Sequence, residues 1–189
     1  MIKIFGGVAK GFSLKTPSDN LTRPTSVLLR RKLFDSIQDL SGMVFIDLCA
    51  GIGSVGLEAS SRGADKVYFV EKSRAAMNIL KKNVQLFDQK FNHLSHFSII
   101  QKDFRKCLRE IIEQQTENHS VIVFFDPPYE EIDLYFDFFK LFNTLRFQGR
   151  LVIEACQNKT MKMEDFQANF GDSTKSFRQG TSYFLIYDF

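Results

Sequence analysis

Residues 44–56, V-F-I-D-L-C-A-G-I-G-S-V-G, set a strand, a glycine turn and the start of a helix end to end, and the rest of the chain has to be arranged around them. Val44, Phe45 and Ile46 form a short apolar run with β-branched members. Gly51-x-Gly53-x-x-Gly56 follows, and Leu57 to Arg62 continues with helical character. Glycines reach backbone angles closed to other residues and let a ligand approach the main chain, so the small residues Ala50, Gly51 and Gly53 suit a nucleotide-type site on a parallel sheet. Glu71 stands at the end of the apolar run Val67-Tyr68-Phe69-Val70, where a carboxylate can accept hydrogen bonds from a ribose diol. By itself the pattern does not choose among nucleotide-like ligands.

A chain of 189 residues can bury a full core in one domain without a metal or disulfide staple. Its cysteines, Cys49, Cys107 and Cys156, are odd in number, far apart and set in or beside apolar segments, so buried reduced thiols are expected and zinc spacing is absent. The apolar runs are shorter than a membrane span and no compact signal region opens the chain, so a cytoplasmic protein is expected. The net charge is only +3, yet residues 1–40 carry seven Lys or Arg against three Asp, a local surplus of +4. Lys3, Lys10, Lys15, Arg23, Arg30, Arg31 and Lys32 are therefore a candidate phosphate-facing surface.

Residues 2–16, with Gly6-Gly7 and Gly11 between short alternating apolar pieces, predict a β-hairpin or ribbon. Thr25 or Ser26 can cap a helix reaching about Leu40, with Leu29, Leu33, Ile37 and Leu40 on its buried stripe and Arg30, Arg31 and Lys32 facing outward. Ser73 caps the next crossover helix, which buries Ala76, Ile79, Leu80, Val84 and Phe87. A strand at about Phe97 to Gln101 leads to Asp103, on the edge where open α/β sheets bind ligands. Val121 to Phe125 reads as a strand covered on both faces. A helical segment over residues 131–145 precedes the fifth central strand at Leu151-Val152-Ile153, and a short amphipathic piece spans about Met163 to Asn169. Thr174 to Phe177 and Ser182 to Tyr187, joined through Arg178-Gln179-Gly180, read as an antiparallel pair at the sheet edge. Twenty-one Phe and no Trp are conspicuous, but the Phe fall inside periodic segments, where core packing explains them.

Asp126-Pro127-Pro128-Tyr129, directly after a buried strand, is more specific than the glycine turn. Two prolines remove backbone donors and constrain the exit, leaving the aspartate carboxylate and nearby carbonyls as acceptors facing the pocket. An exocyclic NH2 group donates twice, and Tyr129 offers a flat face for a planar base taken out of its stack.

This arrangement resembles the D/N-P-P-Y/F motif of S-adenosylmethionine-dependent amino-methyltransferases, and the opening stretch resembles their D-x-x-x-G-x-G cofactor loop with Asp47 as its acid. The N-terminal G-G-x-x-x-G, Arg23-Pro24-Thr25 followed by Leu33-Phe34, and D-L-C-A-G-I-G-S-V-G-L-E-A-S-S-R-G-A from Asp47 to Ala64 are similar, in order, to the RsmD family, which methylates guanine N2 in 16S ribosomal RNA. The resemblance implies a Rossmann-like class I α/β fold. Its central, mostly parallel seven-stranded sheet would have an antiparallel C-terminal edge, with a small β-hairpin at the N-terminus. It also implies S-adenosyl-L-methionine as cofactor, its methionine part held by Ala50, Gly51, Gly53 and Gly56 with Asp47, its ribose by Glu71, and its adenine end marked by Asp103 and Phe104. Asp126 and the Pro127 carbonyl would accept from guanine N2 beside Pro128, and Tyr129 would stack on the base. Asp126 would orient the amine and stabilise the charge developing on nitrogen, rather than act as a strong base.

The same resemblance divides the chain into a hairpin extension and basic RNA-contact region, 1–22, and a methyltransferase domain, 23–189. The partner would be 16S rRNA or a small-subunit ribonucleoprotein, met by a monomer with no metal and no membrane contact. The residues leave three other readings open. DNA adenine-N6 methylation presents the same kind of amine, a noncatalytic RNA-binding assembly protein would use the basic N-terminus, and an NAD-dependent oxidoreductase would use the glycine turn but give Asp126 to Tyr129 no task.

Overall fold

A computed structural model describes residues 2–17, 27–115, 120–157 and 162–189. Strands β1 (Ile2–Lys3) and β2 (Ser13–Leu14) pair antiparallel as the N-terminal ribbon. Helix α1 (Val27–Ser36) precedes β3 (Met43–Leu48), α2 (Ser54–Ser61), β4 (Lys66–Val70), α3 (Arg74–Phe91) and β5 (His96–Ile100). A short 3-10 turn, Phe104–Lys106, leads into α4 (Leu108–Glu113), β6 (Ser120–Phe125), α5 (Ile132–Phe142), β7 (Gly149–Cys156), α6 (Met163–Phe170), β8 (Lys175–Gln179) and β9 (Ser182–Asp188). Among the described residues, no helix is long and apolar enough to cross a membrane.

The sheet is seven-stranded, in the order β5-β4-β3-β6-β7-β9-β8. The five strands from β5 to β7 run parallel, β9 is antiparallel to β7, and β8 is antiparallel to β9. This is the expected mostly parallel sheet with an antiparallel C-terminal edge, the fold of class I methyltransferases. The chain order reverses between β3 and β6, which opens a crevice at the carboxyl ends of those two strands.

Alternation along the strands makes two cores. Phe45, Val67, Phe69, Ile122, Phe124, Val152 and Phe184 face the layer of α1, α2 and α3, while Ile46, Tyr68, Val123, Phe125, Leu151 and Leu185 face α4, α5 and α6. The abundant Phe fill these layers, with Phe125 stacked on Phe138 at 4.1 Å between centroids. Ile2, Ile4, Ala9 and Leu14 of the ribbon belong to the first core.

Three local expectations are corrected. Helix α1 stops at Ser36 instead of Leu40, because the Leu40 amide is taken by the Arg62 carbonyl at 3.0 Å and can no longer continue the helix. Strand β8 runs on through Gln179, so the junction lies one to two residues later than expected. Arg30, expected to face outward, is only 1% exposed. The ribbon and α2 close over a second face of α1, while α1 itself packs on β8 and β9 and covers that edge of the sheet.

Candidate active site

The glycine turn grows directly from the end of β3. Cys49, Gly51 and Gly53 all have positive φ, at 62°, 56° and 84°, so the chain reverses through left-handed conformations that only glycine adopts without strain. A Cβ on Gly51 would meet nothing within 4 Å, which leaves an open cradle against the main chain. A Cβ on Gly56 would lie 2.3 Å from Phe69, so this glycine lets α2 sit tightly on the sheet.

Asp47 lies beneath the turn, 1% exposed, and its Oδ2 accepts from the Gly56 amide at 2.9 Å. Burial pushes its carboxyl up to about 8; the Gly56 hydrogen bond pulls the other way, and the neighbouring Asp126 and Glu71 carboxylates add to the rise. Glu71, just past β4, accepts from the Gly51 amide through Oε2 at 2.8 Å and from the Ser73 amide through Oε1 at 2.6 Å. Each oxygen keeps further acceptor capacity. The Cys49 thiol is pushed up well above its ordinary range by burial and by the charges of Glu71, Asp126 and Asp47, so it is not an activated nucleophile.

Register brings the second motif to this place. Leu48 pairs with Phe125, so Cys49 and Asp126 leave adjacent strands at the same level. Asp126 is half-buried, Pro127 buried, Pro128 exposed and Tyr129 half-buried. The Tyr129 hydroxyl donates to Glu154 Oε1 at 2.5 Å and lies 3.4 Å from Ser182 Oγ. Burial, with the Glu154 and Asp126 charges, raises the pKa of this phenol far above its ordinary value, so it remains a donor.

At the far side of the crevice Asp103 caps the 3-10 turn. It accepts from the Arg105 amide at 3.0 Å and from Arg105 Nε and Nη2 at 2.8 and 2.6 Å, while Arg105 Nη1 reaches Asp137 at 2.6 Å. The Arg105 hydrogen bond holds the Asp103 carboxyl below its usual range. The Phe104 side chain is 3% exposed and packs edge-on against Phe125 and Phe138, so only its backbone is left to border a ligand.

Asp47, Ala50, Gly51, Gly53, Gly56, Glu71, Asp126 and Tyr129 thus converge on the switch point, with Asp103 beside it. The donor set fits S-adenosylmethionine. An open main-chain cradle, an acceptor carboxylate at the end of β4 and the gathering of Asp47, Glu71 and Asp126 at the turn suit a ligand whose reactive centre is a sulfonium cation. Among the described residues no cluster of His, Cys, Asp and Glu could hold a metal ion.

The basic residues divide. Lys3, Lys10, Lys15, Arg31 and Lys32 are exposed, with Lys32 donating to the Arg178 carbonyl at 3.2 Å and Arg31 3.9 Å from Asp35. Arg30 is not on that surface, since its guanidinium is buried against backbone carbonyls. Arg23 lies outside the described residues.

Sequence reasoning missed Glu154, Ser182, Glu58 and Asn83. Glu154 had a signal, a charged residue inside the apolar strand L-V-I-E-A-C. Asn83 had one too, since it interrupts the buried stripe between Leu80 and Val84. Neither signal said which distant group would be its partner.

Comparison with known proteins agrees with this geometry. The family model described as conserved hypothetical protein 95 matches residues 2–187. YlbH of Bacillus subtilis (strain 168), a candidate rRNA methyltransferase, is 30% identical over 131 residues, covering 69% of this chain and 68% of that protein. Ribosomal RNA small subunit methyltransferase D of Haemophilus influenzae is 31% identical over 129 residues, covering 68% of this chain and 64% of that protein. Among solved structures, the 16S rRNA N2 G1207 methyltransferase RsmC of Thermus thermophilus, in complex with AdoMet and guanosine, shares the fold with a TM-score of 0.66 and 21% identity, over 90% of this chain and 44% of that one. The chain belongs to the conserved hypothetical protein 95 family and has the fold of class I methyltransferases.

Proposed function

We propose that the protein transfers the methyl group of S-adenosylmethionine to the exocyclic N2 of a guanine in small-subunit ribosomal RNA. The observation that carries this reading is the β3–β6 register, which sets an amine-accepting carboxylate, Asp126, beside the open cradle at Gly51. The names of the relatives, ribosomal RNA methyltransferases, and the bound guanosine of the Thermus fold relative favour a guanine in rRNA as acceptor.

When bound, the cofactor supplies a methyl group activated by sulfonium. The protein's part is alignment and electrostatics. The backbone at Gly51 gives the ligand room, and Glu71 is held by two amides with acceptor capacity left for the ribose hydroxyls. Asp126 and the Pro127 carbonyl accept the two amine hydrogens of guanine, which turns the nitrogen lone pair toward the methyl carbon. Tyr129 stacks on the extracted base. Transfer would exchange the cofactor's C–S bond for a C–N bond to N2, leaving a neutral thioether, and Asp126 would stabilise the positive charge developing on N2 before its proton leaves to Asp126 or water.

The exposed lysines of the ribbon, Lys3, Lys10 and Lys15, with Arg31 and Lys32, would meet RNA phosphates and fix register without reading sequence. The test is labelled-methyl transfer to rRNA and to small-subunit particles, followed by mapping of the modified base. N2-methylguanine supports the reading; adenine methylation in DNA, or no transfer to any RNA substrate, overturns it.

A further inference from the structure

Ile52 and Ser54 flank Gly53 in the cofactor turn, and the carbonyl of each is held by a buried side chain that also holds the backbone of the N-terminal ribbon. From α3, Asn83 Nδ2 donates to the Ile52 carbonyl at 3.0 Å and to the Lys15 carbonyl at 3.1 Å, while Asn83 Oδ1 accepts from the Lys15 amide at 2.8 Å. From α1, Arg30 Nη1 donates to the Ser54 carbonyl at 3.3 Å and Nη2 to the Lys3 carbonyl at 2.8 Å, with the guanidinium 4.6 Å above the Phe5 ring centroid. Both side chains are 1% exposed. Glu58 of α2 adds a third tie, accepting from the Phe5 and Gly6 amides at 2.8 Å each.

The orientation of the Asn83 amide is dictated by its partners. Only its oxygen can accept from the Lys15 N–H, and only its NH2 can serve two carbonyls. The bonds to the Ile52 and Ser54 carbonyls are buried, so a shift of the turn against the ribbon would leave those two carbonyls without donors. A polar side chain on an apolar stripe is costly unless it is fully used, and here both amide hydrogens and the oxygen are used.

We propose that Asn83 is a positioning residue that couples cofactor binding at Gly51–Gly56 to order in the N-terminal ribbon, with Arg30 as the second tie. Cofactor contact with the turn fixes Ile52 and Ser54, and through them Lys15 and Lys3 at the two strands of the ribbon. By linkage the effect is reciprocal: whatever immobilises the ribbon tightens cofactor binding by the same factor. The exposed side chains of Lys3 and Lys15 are thereby presented in a fixed place when the cofactor is bound. The inference needs the cofactor but not the RNA acceptor.

Amide hydrogen exchange and S-adenosylmethionine titration of the wild type, Asn83→Asp and Asn83→Ala test it. Aspartate keeps the acceptor for the Lys15 amide but turns a second oxygen against the Ile52 and Lys15 carbonyls. In the wild type, the cofactor slows exchange at Ile4, Gly11 and Lys15. Folded Asn83→Asp binds cofactor roughly 10-fold more weakly, as the loss of one to two buried hydrogen bonds implies, and its ribbon amides exchange at the same rate with and without cofactor. A residue that only supports the core would lower the apo melting temperature and leave cofactor-induced protection in place; that result, or wild-type affinity in Asn83→Asp, overturns the proposal. Should both variants fail to fold, the wild-type arm decides, since unchanged exchange on cofactor binding overturns the coupling. Failure of the wild type to bind the cofactor would be seen separately in the titration and overturns coupling and cofactor assignment together, whereas absence of RNA methylation leaves the coupling standing.

Discussion

Tyr129 donates its hydroxyl hydrogen to Glu154, a carboxylate buried in β7, and the ring is thereby fixed at the lip of the crevice between β3 and β6. Tyr129→Phe keeps the ring and loses the anchor. We expect kcat/KM for the acceptor to fall about 10-fold while cofactor affinity is unchanged, whereas Tyr129→Ala, which also removes stacking, falls about 100-fold. Equal activity of Tyr129→Phe and wild type in a labelled-methyl assay would show that the anchor has no kinetic role.

Asp126→Ala removes the carboxylate to which the proposed reaction assigns both orientation of the amine and stabilisation of its charge. The expected loss in kcat is about 100- to 1000-fold, with folding retained because Asp126 is half-buried at a loop. Asp126→Asn keeps one carbonyl acceptor and should retain more transfer than the alanine variant. The order Asn above Ala, measured under single turnover, is the check.

The raised carboxyl of Asp47 gives a pH dependence with a defined sign. Its folded value of about 8 lies above the ordinary aspartate value of 3.8, so the folded state holds the proton more tightly than the unfolded one. That contribution to stability is present below pH 3.8 and is lost as pH rises through 8. The facing carboxylates, Asp126 and Glu71, act in the same direction, and the Arg30 cation opposes them. A cationic ligand favours the ionised form, so cofactor binding should release protons and tighten between about pH 7 and 9, a window of about one unit either side of Asp47. Titration calorimetry in buffers of different ionisation enthalpy measures the release, and Asp47→Asn should abolish it.

Two glycines of one motif should separate binding from stability. Gly51→Ala places a methyl in the open cradle at a φ of 56°, costing about 1 kcal/mol of stability but most of the cofactor affinity. Gly56→Ala drives a methyl onto Phe69 from 2.3 Å and should cost more stability, about 1–3 kcal/mol by overpacking. Melting temperature and cofactor affinity, measured together on both variants, would expose a reversed order.

Lysines of the ribbon and Arg30 should also differ. Replacing Lys3, Lys10 and Lys15 together should lower RNA affinity and flatten its salt dependence by about 0.7 per lost single-strand phosphate contact. Arg30→Ala leaves the Lys3 and Ser54 carbonyls without their donor and should act on stability instead, by about 3 kcal/mol or more. A salt slope altered by Arg30→Ala with unchanged melting would place Arg30 on the RNA surface after all.

The two motifs were legible because their constraints are local. Strand, positive-φ turn and helix start follow from Val44 to Gly56, and the exit of Asp126-Pro127-Pro128-Tyr129 follows from proline geometry. The antiparallel edge was legible for the same reason, since two short strands and a turn lie close together in sequence. Arg30 was misplaced because its position between Leu29 and Leu33 says only which face it lies on, not that the ribbon and α2 would cover that face.

The sequence by itself determined the strand, glycine turn and helix start of Val44 to Gly56 and the constrained exit of Asp126 to Tyr129, since period, turn chemistry and residue type are properties of short stretches. Tertiary structure alone decided that Leu48 pairs with Phe125 and so brings Cys49 beside Asp126, that Tyr129 finds Glu154, and that Asn83 ties Lys15 to Ile52. Each of these joins groups 25 or more positions apart. Such partners are chosen by sheet register and by the need of buried polar groups to meet one another, and no short stretch encodes that choice.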